Sequence, residues 1–344
     1  MTRPVSLAVA GAGLIGRRHI DLIGQSEAAT LSAIADPAPA AHDLAGSLGV
    51  PWFADLAELF RETRPDGLIV ATPNQLHRDH ALAAIAAGVP VLVEKPLADT
   101  VEAAEAIVMA AERAGVPVLV GHHRRHNPLI ARAKAQIEAG ALGRLVAVHA
   151  SFWIYKPDDY FDAAWRRAPG AGPVFINLIH DIDLLRHLCG EIEEVTAAQS
   201  SAVRGHPVED TAVALLRFAS GALGTLTASD TIAGPWSWEQ TAGENPAYPE
   251  TGEACYLIGG THGSLSIPQG ALWRHPEKRG WWEPMEATRD PATPADPLMR
   301  QLEHFARVIR GEEAPLVQGA EGLAALRVVA AIKRSAAEGR PVIP

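Results

Sequence analysis

Gly11-Ala12-Gly13-Leu14-Ile15-Gly16 has the spacing GxGxxG, and Asp36 follows about 20 residues on. Gly11 permits a tight turn, Gly13 lets backbone approach a pyrophosphate, and Gly16 lets a helix pack close to a sheet. A carboxylate at position 36 accepts hydrogen bonds from ribose hydroxyls and repels a 2′-phosphate. No Arg or Lys follows it in Asp36-Pro37-Ala38-Pro39-Ala40, so NAD is expected over NADP. Further along, Val91-Leu92-Val93 ends in Glu94-Lys95-Pro96, which delivers one ammonium group to the carboxyl end of a strand, where open α/β sheets bind ligands. A lone lysine is more often a solvated strand terminus. Asn177 and His180 stand at helical spacing and can face one ligand together.

These groups need a scaffold. Strands are expected over 5–10, 31–35, 67–71, 91–93 and 117–120, alternating with helices over 17–23, 41–48, 56–62, 79–87 and 101–114. The alternation implies a parallel, Rossmann-type sheet in a domain over 1–121. Asp99 and Glu102 read as the capping pair of the 101–114 helix. Ala71-Thr72-Pro73-Asn74 leaves a strand beside the glycine turn; Thr72 and Asn74 offer hydrogen bonds to the cofactor and Pro73 fixes the turn, the alternative being a helix cap. His77 lies over the cofactor or is only a first-turn residue. Gly121-His122-His123-Arg124-Arg125-His126 follows the last strand, with Asn127-Pro128 as N-cap and first residue of the next helix. A second domain over 122–344 shows a helical stretch over 174–189 and strands over 145–154, 195–203, 211–218, 224–229, 255–258 and 265–267, joined in places by turns, which suits an antiparallel sheet. Helices over 298–310 and 318–337 close the chain.

Composition narrows the class. The 344 residues are 48% hydrophobic and 20% charged, with a formal net charge of −10. A partner bound mainly through phosphates or anionic lipid is disfavoured, so neither nucleic acid nor membrane is expected. Only Cys189 and Cys255 are present, which excludes a disulfide framework and a cysteine-rich metal site. The first strand follows Met1-Thr2-Arg3-Pro4 directly, and no apolar run is long enough to span a bilayer, so a cytoplasmic location is expected. The histidines at 122, 123 and 126 invite a metal, but no further ligand set accompanies them, and none is expected.

The glycine fingerprint, Asp36, Ala71-Thr72-Pro73-Asn74 with His77, and Glu94-Lys95-Pro96 together resemble the glucose-fructose oxidoreductase and inositol dehydrogenase family. Trp165-Arg166, the helix bearing His180, and Ser335-Ala336-Ala337-Glu338-Gly339-Arg340-Pro341-Val342 extend the resemblance over nearly the whole chain. Within the family, 121–128 and 176–183 look most like a bacterial subgroup containing L-glucose/scyllo-inositol dehydrogenase.

The resemblance implies a second domain with a large open, mostly antiparallel sheet, and a homodimer or homotetramer formed through it. It implies NAD-dependent oxidation of a polyol or sugar with His180 as general base, consistent with the need to remove a hydroxyl proton as hydride leaves carbon. Lys95 either stabilises the developing alkoxide or shares the proton transfer. His123 and Arg124 fall where relatives present substrate-contacting side chains, and Trp165-Arg166 where they reach cofactor or substrate; the alternative for the latter pair is a surface turn. Ile176 stands where many relatives carry an aspartate. Asn177 is assigned to substrate positioning, and Asp183 is either a partner of the base or a helix-surface charge. Two other activities fit the same motifs: transient NAD chemistry without net redox, as in glycoside cleavage or sugar isomerisation, and non-enzymatic regulation by NAD binding.

Overall fold

The computed structural model describes residues 3–168, 170–289 and 295–344. Mostly aliphatic runs and one aromatic pair form its first sheet: β1 (Val5–Ala10), β2 (Ala29–Ala35), β3 (Trp52–Phe53), β4 (Gly67–Val70), β5 (Val91–Val93) and β6 (Val118–Val120). All pair in parallel, in the order β3-β2-β1-β4-β5-β6. Strands β4, β5 and β6 are buried throughout, as expected where helices cover both faces of a parallel sheet. The crossovers carry α1 (Leu14–Gln25), α2 (Pro39–Leu48), α3 (Leu56–Glu62), α4 (His77–Ala86) and α5 (Val101–Ala114). Thr100, rather than Asp99, caps α5, its hydroxyl accepting from Ala103 N at 3.1 Å.

The second unit opens with α6 (Pro128–Glu138), which Asn127 caps by accepting from Leu129 N at 2.9 Å. Its strands are β7 (Leu145–Trp153), β8 (Ile192–Ser200), β9 (Thr211–Phe218), β10 (Leu223–Ser229), β11 (Tyr256–Gly260), β12 (Ser264–Ile267), β13 (Ala271–Arg274) and β14 (Glu286–Arg289). They form one sheet in the order β14-β13-β12-β11-β7-β10-β9-β8, antiparallel except for the β7–β10 pair. Between β7 and β8 run α7 (Pro173–Ile176) and α8 (Leu178–Cys189), while α9 (Trp238–Thr241) lies between β10 and β11. The helix expected over 174–189 is therefore interrupted at Asn177, where φ is −105° and ψ −53°. Along β9, Ala212, Ala214, Leu216 and Phe218 are buried while Val213 and Leu215 are exposed, so one face of the sheet packs and the other is open.

The chain divides into Met1–His126 with Asp296–Leu326, and Asn127–Ala295 with Arg327–Pro344. The break expected at 121/122 falls before the histidine–arginine turn, whereas the contacts place that turn in the first unit. Helix α10 (Pro297–Ile309) sets Leu302, Phe305 and Ala306 into the same core as Val9, Ile20 and Ile69. Helix α11 (Gly319–Glu338) begins in the first unit and ends in the second. No described helix is long and apolar enough to cross a membrane.

Candidate functional site

In the first unit the loops leaving four parallel strands are laced at one edge of the sheet. Ala71 N donates to Ala10 O at 2.8 Å, Glu94 N to Val70 O at 2.9 Å, and Gly121 N to Val93 O at 2.7 Å. The lacing sets Gly11, Ala71, Glu94 and Gly121 side by side beyond β1, β4, β5 and β6, at the point where strand order reverses.

The glycine turn fits a dinucleotide. Gly11 has φ +90°, and a Cβ there would sit 2.6 Å from Ala71 O; a Cβ on Gly16 would run into Gly11 O. Both positions therefore require glycine. A Cβ on Gly13 would meet nothing within 4 Å, so that side of the turn is open. Gly13 caps α1 without a side-chain hydrogen bond, leaving the first amides of the helix for an anion. Leu14 is 95% exposed at the mouth of the turn and Ile15 is half-buried. Asp36 accepts from Ala12 N at 2.7 Å and from Ala38 N at 2.8 Å. Those bonds fix the carboxylate beside the turn and still leave acceptor capacity for ribose hydroxyls.

Thr72, Pro73 and Asn74 lead from β4 into a 3₁₀ turn over Asn74–Leu76. Thr72 Oγ1 lies 3.1 Å from His80 Nδ1. His77 is 1% exposed, with Nδ1 2.8 Å from Pro96 O and Nε2 2.8 Å from Thr72 O. It staples the β4 loop to the Glu94-Lys95-Pro96 loop, whose Lys95–Pro96 peptide is cis. Burial pushes its pKa down against the pull of the two carbonyls.

Glu94 is buried and faces His19 of α1, with Oε1 and Nε2 2.7 Å apart, while Oε2 accepts from Lys95 N at 3.2 Å. Burial alone would raise the Glu94 pKa, but the hydrogen bond and charge of His19, with His123 and Lys95 nearby, hold it below the ordinary carboxylate range. Lys95 is half-buried at the end of β5, as is His123 beyond β6, and Arg124 is 4% exposed. Arg125 pairs with Glu321 at 2.8 Å, and the His126 ring lies 5.2 Å from that of His304. These two residues anchor the turn to the returning segment. Among the described residues no group of three His, Cys, Asp or Glu side chains is placed to hold a metal ion.

The remaining candidates belong to the second unit. His180 lies in the first turn of α8, and its backbone N donates to Asn177 O at 3.1 Å. The helix is buried almost all round: His180, Asp181, Asp183 and Arg186 are at most 6% exposed. Asp183 is thus not a surface charge. Asp181 accepts from the Tyr256 hydroxyl of β11, and Arg186 grips Glu191 with two bonds of 3.0 and 2.7 Å. Asn177 Oδ1 accepts from Lys156 Nζ at 2.9 Å, and Asp230 Oδ2 lies 3.7 Å from the same ammonium. Trp165 and Arg166 occupy a 3₁₀ turn over Ala164–Arg167; Trp165 is 59% exposed, and Arg166 donates to Tyr160 O at 2.6 Å with its guanidinium 4.1 Å from the Tyr160 ring.

His19, Lys156 and Asp230 were not legible as site residues. His19 is one turn beyond Gly16, but its partner is 75 positions away, and Lys156 is 21 positions from Asn177. The only sequence signal was a polar residue on the packed side of α1.

A family model described as an oxidoreductase family with an NAD-binding Rossmann fold (GFO/IDH/MocA) matches residues 5–122, and the model of a C-terminal domain of the same family matches 130–266. The chain is 30% identical to a myo-inositol dehydrogenase of Streptomyces leeuwenhoekii, covering 99% of this chain and 100% of that one. It is also 30% identical to a 1,5-anhydro-D-fructose reductase of Ensifer adhaerens, over 82% of this chain and 81% of that protein. Among solved structures, the WlbA dehydrogenase of Bordetella pertussis in complex with NADH and UDP-GlcNAcA superposes with a TM-score of 0.80 at 28% identity, over 99% of both chains.

Proposed function

The chain belongs to the GFO/IDH/MocA oxidoreductases, a family with an NAD-binding Rossmann fold, and from that premise we propose that it oxidises one secondary hydroxyl of a cyclic polyol, or the C1 hydroxyl of an aldopyranose such as L-glucose. The observation that carries the reading is the end of the first sheet from which both the open glycine turn, bonded to Asp36, and the loop bearing the half-buried Lys95 emerge. The full-length likeness to a myo-inositol dehydrogenase supports the substrate class.

NAD, when bound, supplies the acceptor for hydride from the carbinol carbon. The amides of Leu14 and Ile15 and the Gly13 backbone would hold its pyrophosphate, and Asp36 its ribose hydroxyls. Ala71, Thr72, Pro73 and Asn74 wall the cofactor, while His77 and Glu94 act by fixing the loop that carries Lys95. His180 is the proposed general base for the hydroxyl proton, and Lys95 the proposed donor that lowers the cost of developing alkoxide charge. His123 and Arg124 are the proposed substrate contacts of the first unit, and Asn177 with Trp165-Arg166 those of the second. The test is a panel of inositols and aldoses incubated with NAD, with NADH and product masses followed together. Stoichiometric NADH with loss of two hydrogens from the sugar is expected; sugar conversion without net NADH would transfer the chain to the isomerase or glycosidase reading, and no conversion at all would refute the activity.

The open face of the second sheet is the proposed homodimer or homotetramer contact. It exposes Leu215, Leu223, Leu257 and Trp273 around a shallow trough of about 900 Å³. An apolar surface of this kind is what subunit association buries.

A further inference from the structure

Lys156 follows β7 and points into the second unit with its side chain 11% exposed, 2.9 Å from Asn177 Oδ1 and 3.7 Å from Asp230 Oδ2. An ammonium group only donates hydrogen bonds. The Asn177 atom facing it is therefore the carbonyl oxygen, which removes the usual ambiguity between the two ends of a carboxamide. Among the described residues the Asn177 Nδ2 has no protein partner, and Asn177 is half-buried one turn before His180. The ammonium is itself held in place. Asp230 is 2% exposed and binds Arg204 Nε at 2.8 Å, while Arg204 also donates to Lys156 O at 2.7 Å and lies 4.2 Å from the Phe161 ring.

We propose that Lys156 is a positioning residue that locks the Asn177 carboxamide with its N–H donors outward, so that the substrate must offer an oxygen lone pair, from a hydroxyl or ring oxygen, at that point. The inference rests on the reading of Asn177 as a substrate contact. It adds a polarity to that contact: Asn177 donates and does not accept. Because Arg204 continues to neutralise Asp230, removing the Lys156 ammonium does not strand that carboxylate.

The test is a double-mutant cycle of Lys156→Met and Asn177→Ala, read as kcat and KM for the polyol with NAD. Each single variant is expected to raise KM about 5- to 10-fold with kcat within about 2-fold, the mark of a lost uniform binding contact. The double variant is expected to be no worse than Asn177→Ala alone, because Lys156 acts through Asn177. Lys156→Gln, which still offers an N–H to Oδ1, restores KM to within about 2-fold of the parent. Additive effects, a loss confined to kcat, or a Lys156→Gln as impaired as Lys156→Met would overturn the lock. Asn177→Asp decides it independently of how Lys156→Met folds, since it keeps the lysine contact but turns an acceptor outward: an unchanged KM refutes the proposal. Should no polyol reduce NAD, the proposed function fails by itself, and the lock is read without turnover. In protein labelled with ¹⁵N-asparagine, whose asparagines are Asn74, Asn127, Asn177 and Asn245, Lys156→Met must shift the Asn177 side-chain signals and Lys156→Gln must return them; signals that do not move overturn it.

Discussion

Replacing His19 by Ala removes one half of a buried pair that underlies both the glycine turn and the Lys95 loop. His19 and Glu94 are 1% and 7% exposed and 2.7 Å apart. With His19 gone, Glu94 keeps a single bond from Lys95 N at 3.2 Å. Gly121 presses on it from the other side, where a Cβ would already come within 3.0 Å of its carboxyl carbon. Removing one partner of such a pair costs about 3–5 kcal/mol. At about 1.4 kcal/mol per tenfold, hydrogen exchange of the β5 and α1 amides should then quicken by roughly two to four orders of magnitude. Glu94→Gln should destabilise the parent but stabilise His19→Ala, because an amide is cheaper to bury alone than a carboxylate. pH supplies a further check. The folded Glu94 pKa lies below its ordinary value, so its contribution is present above the unfolded carboxyl pKa of about 4.3 and is lost as pH falls through the folded value. In His19→Ala the unpaired carboxyl protonates more readily, so the gap between variant and parent should narrow in acid. A gap independent of pH, or a Glu94→Gln that further weakens His19→Ala, would refute the reading that His19 stabilises the buried Glu94 carboxylate.

Gly16→Ala forces a methyl group into Gly11 O, and the overpacking of about 1–3 kcal/mol should weaken NADH binding roughly 5- to 150-fold in a fluorescence titration; an unaltered Kd would mean the turn does not hold the dinucleotide. Leu215→Arg with Leu223→Glu places charge on the open sheet face and should shift the protein to monomers in sedimentation velocity. An unchanged sedimentation coefficient would remove that face from the interface.

The first sheet was legible because its strands are buried on both sides and read as continuous aliphatic runs broken by glycine and proline. Strand β3 escaped notice because two residues, Trp52–Phe53, carry no periodicity. Strand β8 runs Ile192–Ser200 rather than 195–203, since Val195 and Val203 read alike in sequence and only the former faces the packed side. Strand β13, Ala271–Arg274, is too short for an alternating pattern to stand out, and β14 is wholly exposed and carries no apolar face. The break at Asn177 was hidden for the opposite reason: Val174, Leu178 and Ile179 continue an apolar pattern through a residue whose conformation departs from the helix. Motif residues were placed because local spacing defines them. The partners that hold those residues were not, because His19 with Glu94, and Lys156 with Asn177, are pairs made only by the fold.

Hydride transfer from a sugar carbon to NAD, with Lys95 and His180 as the proposed catalytic residues, is tested most directly by isotope transfer. A polyol deuterated at the carbinol carbon, incubated with NAD, should yield NADH heavier by the mass of the label, with the rate reduced about 100-fold or more by Lys95→Ala and by His180→Ala. Unlabelled NADH, or labelled NADH formed as fast by both variants as by the parent, would contradict it.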